Sequence, residues 1–420
     1  MRASVNGEQN RCSPFFRIVH ALREILFRVD GFCLRKKKSS KYLPPEIWTQ
    51  IFTKFPAKSL VRIRCVCKYW CSIIDDPDFV HLHLQLFQIN HGNNQLFVAF
   101  EGNELNIRGD RQWSLTLRDS QNLRNTYSLF WKSYDYFCII GSCNGLLLVA
   151  KCSSIYFDSL ILWNPCIRKS LLLPHCPIPC YLLRTKYLLG YSPDSKDYKV
   201  VAFTYEFDDT WGIEDRKIHF AVYTLRDQLW TVRNLDITNT SMFDLYSLST
   251  AVFFRGAAYW LVNNDKKSSG LLTHLGSFDF DNERITFLEL PISLDKTSFL
   301  WFLFLLGDSL AIFSISKVTS SIWVLKRDNI KLSWTLWFSG KSSPEGYEVF
   351  ESCYGKFGKV FYCNGGYFVC GKLIYNIASC QVQEFYKSMS STSQLERYSE
   401  SLVLSNAYGA CDLRVMFPLL

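Results

Sequence analysis

The chain has 420 residues, of which 48% are hydrophobic and 20% charged, which supplies enough apolar mass for a folded core and excludes wholesale disorder. Its formal charge of +9 is uneven: residues 1–41 hold ten Lys/Arg against three acids, or +7, leaving 37 basic and 35 acidic groups, or +2, for the other 379 residues. A nearly neutral body excludes a broad phosphate-tracking surface, so no nucleic-acid partner is expected.

The sixteen cysteines contain no C-x-x-C. They are too sparse for a disulfide scaffold and fit a reducing compartment, cytoplasmic and/or nuclear. The longest apolar run, residues 299–306, falls well short of the roughly 20 residues of a membrane span. In the N-terminal extension Arg17, Arg23 and Glu24 interrupt any signal-peptide core. Phe15, Ile18, Leu22, Ile25 and Val29 nevertheless fall on one face of a helix. That pattern is open to a transit peptide or a surface-binding helix, but a poorly ordered or frayed helical extension is favoured. Arg35, Lys36, Lys37 and Lys38 form a short basic patch, weak evidence for nuclear targeting.

Organised structure is expected from residue 42. Pro44-Pro45 suit a helix start, and Ile47, Ile51 and Phe55 recur every four residues with Trp48 and Phe52 beside them, a wide apolar stripe that Pro56 ends. Leu60, Ile63, Val66 and Trp70 mark a second helical stretch, with Arg62, Arg64 and Lys68 turned outward, and Asp75-Asp76-Pro77 closes it. Short helices in about 45 residues cannot bury all their apolar faces alone, so some surface is left for a partner.

The stretch 42–84 resembles an F-box. It carries Leu43-Pro44, Phe55-Pro56 where the family has Leu-Pro, Lys58-Ser59-Leu60, Arg62, Cys65-Val66, Lys68, Trp70, Asp76-Pro77 and Phe79 at the family's spacing. The resemblance implies a Skp-type adaptor as partner and, through it, a cullin. It also implies an adaptor-facing apolar contact drawn from Leu43, Pro44, Ile51, Leu60, Val66 and Trp70, some of which must instead be core.

From about residue 85 the pattern becomes short alternating apolar runs between turn signals, the mark of many strands. Six segments share an aromatic strand, a polar turn and a second strand, with Ile107, Trp163, Tyr223, Phe278, Trp323 and Tyr375 as reference points at intervals of 56, 60, 55, 45 and 52. Kelch-like blades repeat at roughly 50 residues. Asn144-Gly145, Arg255-Gly256, Gly307-Asp308 and residues 364–366 read as further hairpin turns, giving four strands per unit. The unit near 190–205 has no Gly turn and the first unit is poorly defined, so five, six or seven blades all fit.

These residues also resemble the F-box-associated domain of plant F-box proteins. The motifs are SCNGLL at 142–147, Trp163-Asn164-Pro165 with Leu173-Pro174, YKVV at 198–201, Val222-Tyr223 with Trp230, Gly256 with Tyr259-Trp260, SFD at 277–279 and IWV at 322–324. This second resemblance implies a small all-α F-box and a large all-β domain, a kelch-like β-propeller of about six blades. The expected boundaries are extension 1–41, F-box 42–84, propeller 85–408 and tail 409–420. The implied function is the substrate-recognition subunit of a Skp-cullin-F-box ubiquitin ligase, non-catalytic, without cofactor or metal, with a protein substrate the sequence does not identify. The alternative is a non-catalytic interaction or glycan-binding protein that uses its F-box outside ubiquitin ligation.

Several chemical signals favour plain structure. Gly307-Asp308-Ser309-Leu310 matches a lipase and esterase block, but no histidine follows Ser309, and a serine nucleophile needs a base. His175, Cys176 and Cys180 lack a fourth ligand at zinc spacing. Asp279 and Asp281 read as a turn rather than a cation site. The sequon at Asn239 has no secretory route. Tyr259, Trp260, Trp301, Trp334 and Trp337 are expected to pack between blades rather than bind sugar. At the C-terminal end residues 388–394 read as a loop and 398–405 as a strand that returns to pair within about 95–117, with residues after 408 peripheral.

Overall fold

The computed structural model describes residues 43–90 and, between 96 and 411, a series of strands with most of their turns. Residues 1–42 and 412–420, the stretches 91–95, 103–110, 206–217, 234–250, 263–273, 292–299, 342–360 and 385–393, and several shorter ones lie outside the described residues. The readings of the basic extension, Ile107, Cys180, Asn239, Gly307 and residues 364–366 fall there. The described residues form two compact units, divided between His83 and Leu84.

The first unit is helical: α1 Pro45–Phe52, α2 Ala57–Ile63, α3 Lys68–Ile74, and the start of α4 Pro77–Asn90. Prolines set the starts. Pro45 occupies the first turn of α1, Pro56 caps α2 and Pro77 opens α4, positions where a missing N–H costs nothing. Asp76 Oδ1 accepts the N–H groups of Asp78 and Phe79 at 2.8 and 3.4 Å, the usual N-terminal cap. An aromatic cluster fills the middle: Trp48, Phe52 and Trp70 stand with ring centroids 4.8 to 5.5 Å apart, and Phe79 meets Phe52 edge-on at 6.5 Å. Arg64 donates two bonds to the Asp75 carboxylate, at 2.6 and 2.5 Å, tying the end of α2 to the cap of α3.

Two expectations need correction here. Helix α1 stops at Phe52, so Phe55 is not part of its stripe, and the buried residues are Trp48 and Phe52 while Ile47 is exposed. The helical region also runs past 85, to Asn90. The alternation of leucine with polar residues in HLHLQL imitates a strand's period of two, whereas the segment continues the α4 backbone.

The second unit is all-β, with six four-stranded antiparallel sheets among the described residues. The first sheet holds β1 Leu96–Gly102, β2 Arg111–Asp119 and β3 Asn125–Ser133, with β24 Gln394–Tyr398 beside β1. The second holds β4 Tyr136–Cys143, β5 Leu146–Cys152, β6 Phe157–Asn164 and β7 Lys169–Leu172. The third holds β8 Thr185–Ser192, β9 Asp197–Tyr205, β10 Ile218–Thr224 and β11 Leu229–Arg233. The fourth holds β12 Val252–Phe254, β13 Ala257–Val262, β14 His274–Asp279 and β15 Arg284–Glu289. The fifth holds β16 Leu300–Leu306, β17 Ser309–Ile315, β18 Thr319–Asp328 and β19 Lys331–Lys341. The sixth holds β20 Phe361–Cys363, β21 Tyr367–Cys370, β22 Leu373–Asn376 and β23 Gln381–Glu384. The reference aromatics from Trp163 to Tyr375 all lie in the third strand of their sheet. Neighbouring sheets meet mostly along edge strands, with β24 beside β4, β4 beside β8, β12 beside β16 and β16 beside β20, while β8 meets β13.

Turn chemistry explains the hairpins. Asn144 and Gly145 have φ of 49° and 82°, and Arg255 and Gly256 have 47° and 80°, the two left-handed residues of a tight hairpin turn. Four longer turns each end in one left-handed residue that is not glycine: Arg168 at 58°, Lys196 at 51°, Gln228 at 55° and Glu283 at 52°. The third sheet therefore has a regular β8–β9 hairpin although no glycine announces it.

Aromatics do pack between sheets. Phe203 and Phe220 of the third sheet stack at 5.0 Å and meet Phe278 of the fourth at 5.8 and 5.7 Å. Gly190 lies under the Phe280 ring, where a Cβ would come within 2.0 Å of a ring carbon. Leu261, Leu275, Trp301 and Ile312 fill the space between the fourth and fifth sheets, and Trp334 Nε1 donates to the Glu289 carbonyl at 3.2 Å. Trp337 departs from the packing expectation and is 54% exposed.

The C-terminal end pairs as expected in partner but not in register. The strand is β24, four residues earlier than the sequence suggested, with Gln394 opposite Phe100 and Tyr398 opposite Leu96. Residues 399–405 are not a strand. Leu404 has φ of 73°, and Leu402, Val403 and Leu404 are all buried, which alternation on one face does not allow. Residues beyond 408 are not all peripheral either, because Cys411 pairs with Ser170 on β7.

Candidate functional site

The helical unit has more apolar surface than it can enclose. With Trp48 and Phe52 turned into the aromatic cluster, the opposite side of α1 leaves Leu43, Pro44 and Ile47 in solvent. The α2–α3 junction leaves Val66 and Tyr69 out, and α1 and α2 both pack against α3. This divides the six sequence candidates. Leu43, Pro44 and Val66 are exposed and Ile51 is half-buried, while Leu60 and Trp70 are enclosed in the unit's own core. Ile47 and Tyr69 were missed as surface groups. The spacing of four from Leu43 to Ile47 was the available signal for one face.

In the β unit, two of the recognised motifs turn out to hold the chain end. The buried Asn164 side chain donates to the carbonyls of Ser401 and Val403 at 3.0 and 2.9 Å and to Ser401 Oγ at 3.1 Å, and its Oδ1 accepts the Tyr398 hydroxyl at 2.9 Å. The Tyr398 oxygen in turn accepts the Cys166 N–H at 3.1 Å. Gly145, of SCNGLL, lies so close that a Cβ would stand 2.4 Å from the Ser399 carbonyl oxygen. These side chains are spent on structure rather than aimed at a ligand.

The third-sheet motif behaves alike. The Asp197 carboxylate accepts the N–H groups of Tyr198 and Arg226 at 2.8 and 3.1 Å, and burial raises its pKa. Buried Lys199 donates to the Phe280 carbonyl and to Glu283 at 2.7 and 2.9 Å. Burial pushes the Tyr223 phenol up to about 12 and the Cys143 thiol well above its ordinary value. Neutral, inward-facing groups of this kind suit packing better than proton transfer.

The other chemical signals also resolve into turns. Asp279 Oδ1 accepts the N–H groups of Asp281 and Asn282, and Asp281 Oδ1 accepts Ser192 Oγ at 2.5 Å and the Asp194 N–H at 3.0 Å. Ser309 opens β17 directly opposite Leu306, which makes the lipase-like block a hairpin connection. Among the described residues no group of His, Cys, Asp or Glu is gathered to hold a metal, and no helix is long and apolar enough to cross a membrane. A cleft of about 380 Å³ opens between the fourth and fifth sheets.

Comparison with known proteins agrees with this division. Residues 112–402 match the family described as F-box associated beta propeller domain, and residues 42–82 match the F-box domain. Relatives in Arabidopsis thaliana include F-box only protein 10, 29% identical over 68% of this chain and 68% of that protein, and an F-box/kelch-repeat protein, 23% identical over 72% and 80%. Among solved structures, a variant of the Synechocystis apocarotenoid oxygenase aligns over 59% of this chain and 58% of its own, at 8% identity and a TM-score of 0.31, a likeness too slight to carry any argument about function.

Proposed function

The chain is a plant-type F-box protein that belongs to the F-box associated beta propeller family, and on that footing we propose that it is the substrate-recognition subunit of a Skp-cullin-F-box ubiquitin ligase. The observation that carries this reading is an F-box whose aromatic core is complete within itself while Leu43, Pro44, Ile47, Val66 and Tyr69 stay in solvent. Apolar groups left out of a finished core are the material of an interface. A Skp-type adaptor would cover them, and the β unit would hold a protein substrate near the ubiquitin-loaded enzyme by raising its effective concentration. The receptor makes and breaks no bonds itself.

We read the six sheets as the blades of a closed kelch-like propeller, the first completed by β24 from the other end of the chain. Pairing of β24 with β1 and the adjacency of edge strands in neighbouring sheets support this. Closure by both chain ends removes strand edges that otherwise invite aggregation.

The test is adaptor binding by the full chain. Leu43→Ala with Pro44→Ala is expected to weaken binding by more than about 1–2 kcal/mol, the scale of an interface anchor. Leu60→Ala and Trp70→Ala should act instead through the stability of the helical unit. A double variant that binds the adaptor like wild type removes the proposal.

A further inference from the structure

Strand β19 ends its sheet on one side. It is the outermost strand of its sheet, with no strand beyond it among the described residues, and its 11 residues make it the longest of the described strands. An outer strand presents a row of main-chain N–H and C=O groups sideways. Proteins blunt such an edge by setting charges along it. In β19, KLSWTLWFSGK, the charges stand only at the two ends, and the uncharged middle holds Leu332, Trp334, Leu336, Trp337 and Phe338. Leu332, Leu336 and Trp337 are 43%, 46% and 54% exposed.

Local geometry adds to this. The ladder to β18 slips between Ile322 and Trp323, which pair with Phe338 and Leu336, so Trp337 is the extra residue of a bulge. A bulge re-aims a side chain. Here it breaks the alternation and leaves two successive large apolar groups at the surface. The 380 Å³ cleft adjoins the strand, lined by Leu325 and Leu332 from the fifth sheet and by Tyr259, Leu288 and Arg284 from the fourth.

Charge selects the occupant. β19 carries two lysines and no acid, and exposed Lys326 on β18 adds a third positive charge, while Arg327 and Asp328 offset each other. A second copy laid antiparallel on this edge would set lysine against lysine at both ends. The N-terminal segment 1–41, at +7, is disfavoured for the same reason.

We propose that the edge of β19 and the adjoining cleft dock an extended segment of a partner protein, apolar in its middle and acidic at its flanks, which adds to the sheet as a fifth strand and seats one apolar side chain in the cleft. In such strand addition main-chain bonds give affinity and pockets for alternate side chains give selectivity. The proposal rests on the receptor reading above and deepens it, by naming the chemistry of the segment received and the surface that receives it.

The experiment measures binding of a short fluorescent peptide, alternating valine and tyrosine between paired glutamates, to the full chain by anisotropy. A lysine-flanked copy and a copy with a central proline serve as comparisons. Saturable binding of the glutamate-flanked probe is expected, weakened about tenfold or more by Trp337→Ser or Leu336→Ser, as for an interface anchor, and lost with the proline copy. Amide exchange should slow along residues 331–341, and the variants should keep the wild-type thermal midpoint because the replaced side chains are exposed. Equal binding of the lysine-flanked copy, protection elsewhere, or wild-type affinity in both variants overturns the proposal. So does dimerisation that competes with the probe, or binding that appears only once residues 345–351 are deleted, since Glu345, Glu348 and Glu351 would then mark that stretch as the edge's own occupant. Adaptor binding is measured in parallel: its loss with peptide binding intact counts against the receptor reading, and the reverse counts against this edge.

Discussion

His83 shows how much one buried side chain can reveal about a fold. Its ring is fully enclosed, with Nε2 2.8 Å from the Phe55 carbonyl and the ring 6.0 Å from Phe79. A carbonyl only accepts, so Nε2 carries the proton and donates, pinning α4 to the turn after α1. Burial lowers the imidazole pKa from its ordinary 6.5, against the smaller opposing pull of the carbonyl bond. Well above pH 6.5 the ring is neutral both folded and unfolded, so stability is unaffected. Below it the unfolded chain takes up a proton that the folded one refuses, and stability falls by up to about 1.4 kcal/mol per pH unit. Amide exchange across residues 45–74 of the full chain should therefore quicken as the pH is lowered from about 7 to about 5.5, after correction for intrinsic rates. His83→Gln, whose amide N–H still reaches the carbonyl, should flatten that dependence. An unchanged slope in the variant would remove His83 as its source.

At the scale of elements, four turns place Arg168, Lys196, Gln228 and Glu283 in the left-handed region, where an L side chain costs roughly 1–2 kcal/mol. Glu283 gains ion pairs with Lys199 and Arg233 at 2.9 and 3.1 Å. Gln228 donates its N–H to the Thr224 carbonyl at 2.9 Å, a backbone bond that any non-proline residue keeps. Gln228→Gly relieves that strain, partly offset by glycine's freedom in the unfolded chain, and should be more stable than Gln228→Val, which loses the same side chain. Gln228→Val should destabilise by about 1–2 kcal/mol, since a β-branched residue fits this region worst. Thermal midpoints that place Val above Gly would contradict the turn geometry.

These same turns set the limit of what was legible in the sequence. Asn144-Gly145 and Arg255-Gly256 announced their hairpins because glycine is the usual left-handed residue, whereas Lys196 and Gln228 gave no such notice. The aromatic repeat located third strands, of which β6 and β10 are buried on both faces. In the F-box, five apolar residues within nine positions told where a helix lay but not which half of it turned inward. The structure turns Trp48 and Phe52 in and leaves Ile47 out. The fixed spacing of the two motif sets carried the family, but the role of Asn164 depends on a partner more than two hundred residues away, which no local pattern encodes.

For the whole molecule, the question is what holds the first two sheets to the last part of the chain. Three successive contacts do so. β24 completes the edge of β1. Asn164 then grips residues 398–403, with Leu402, Val403 and Leu404 buried beside it. Finally Cys411 exchanges two main-chain bonds with Ser170, at 2.8 and 2.9 Å, and Lys169 donates to the Ala410 carbonyl at 3.3 Å. Their unequal burial predicts unequal losses. A chain ending at 405 gives up only the last contact, a few part-exposed hydrogen bonds of about 0.5–1.5 kcal/mol each, and should stay soluble with a modestly lower thermal midpoint. A chain ending at 398 keeps β24 but strands the buried Asn164 amide and loses three buried apolar side chains worth roughly 1.5–3 kcal/mol apiece, so it should fall much further than Asn164→Ala alone. A chain ending at 393 also bares the edge of β1 and should aggregate. If the chains ending at 393 and 405 melted together, β24 would contribute nothing to stability, and the β unit would be an open array of sheets rather than a ring closed by its two ends.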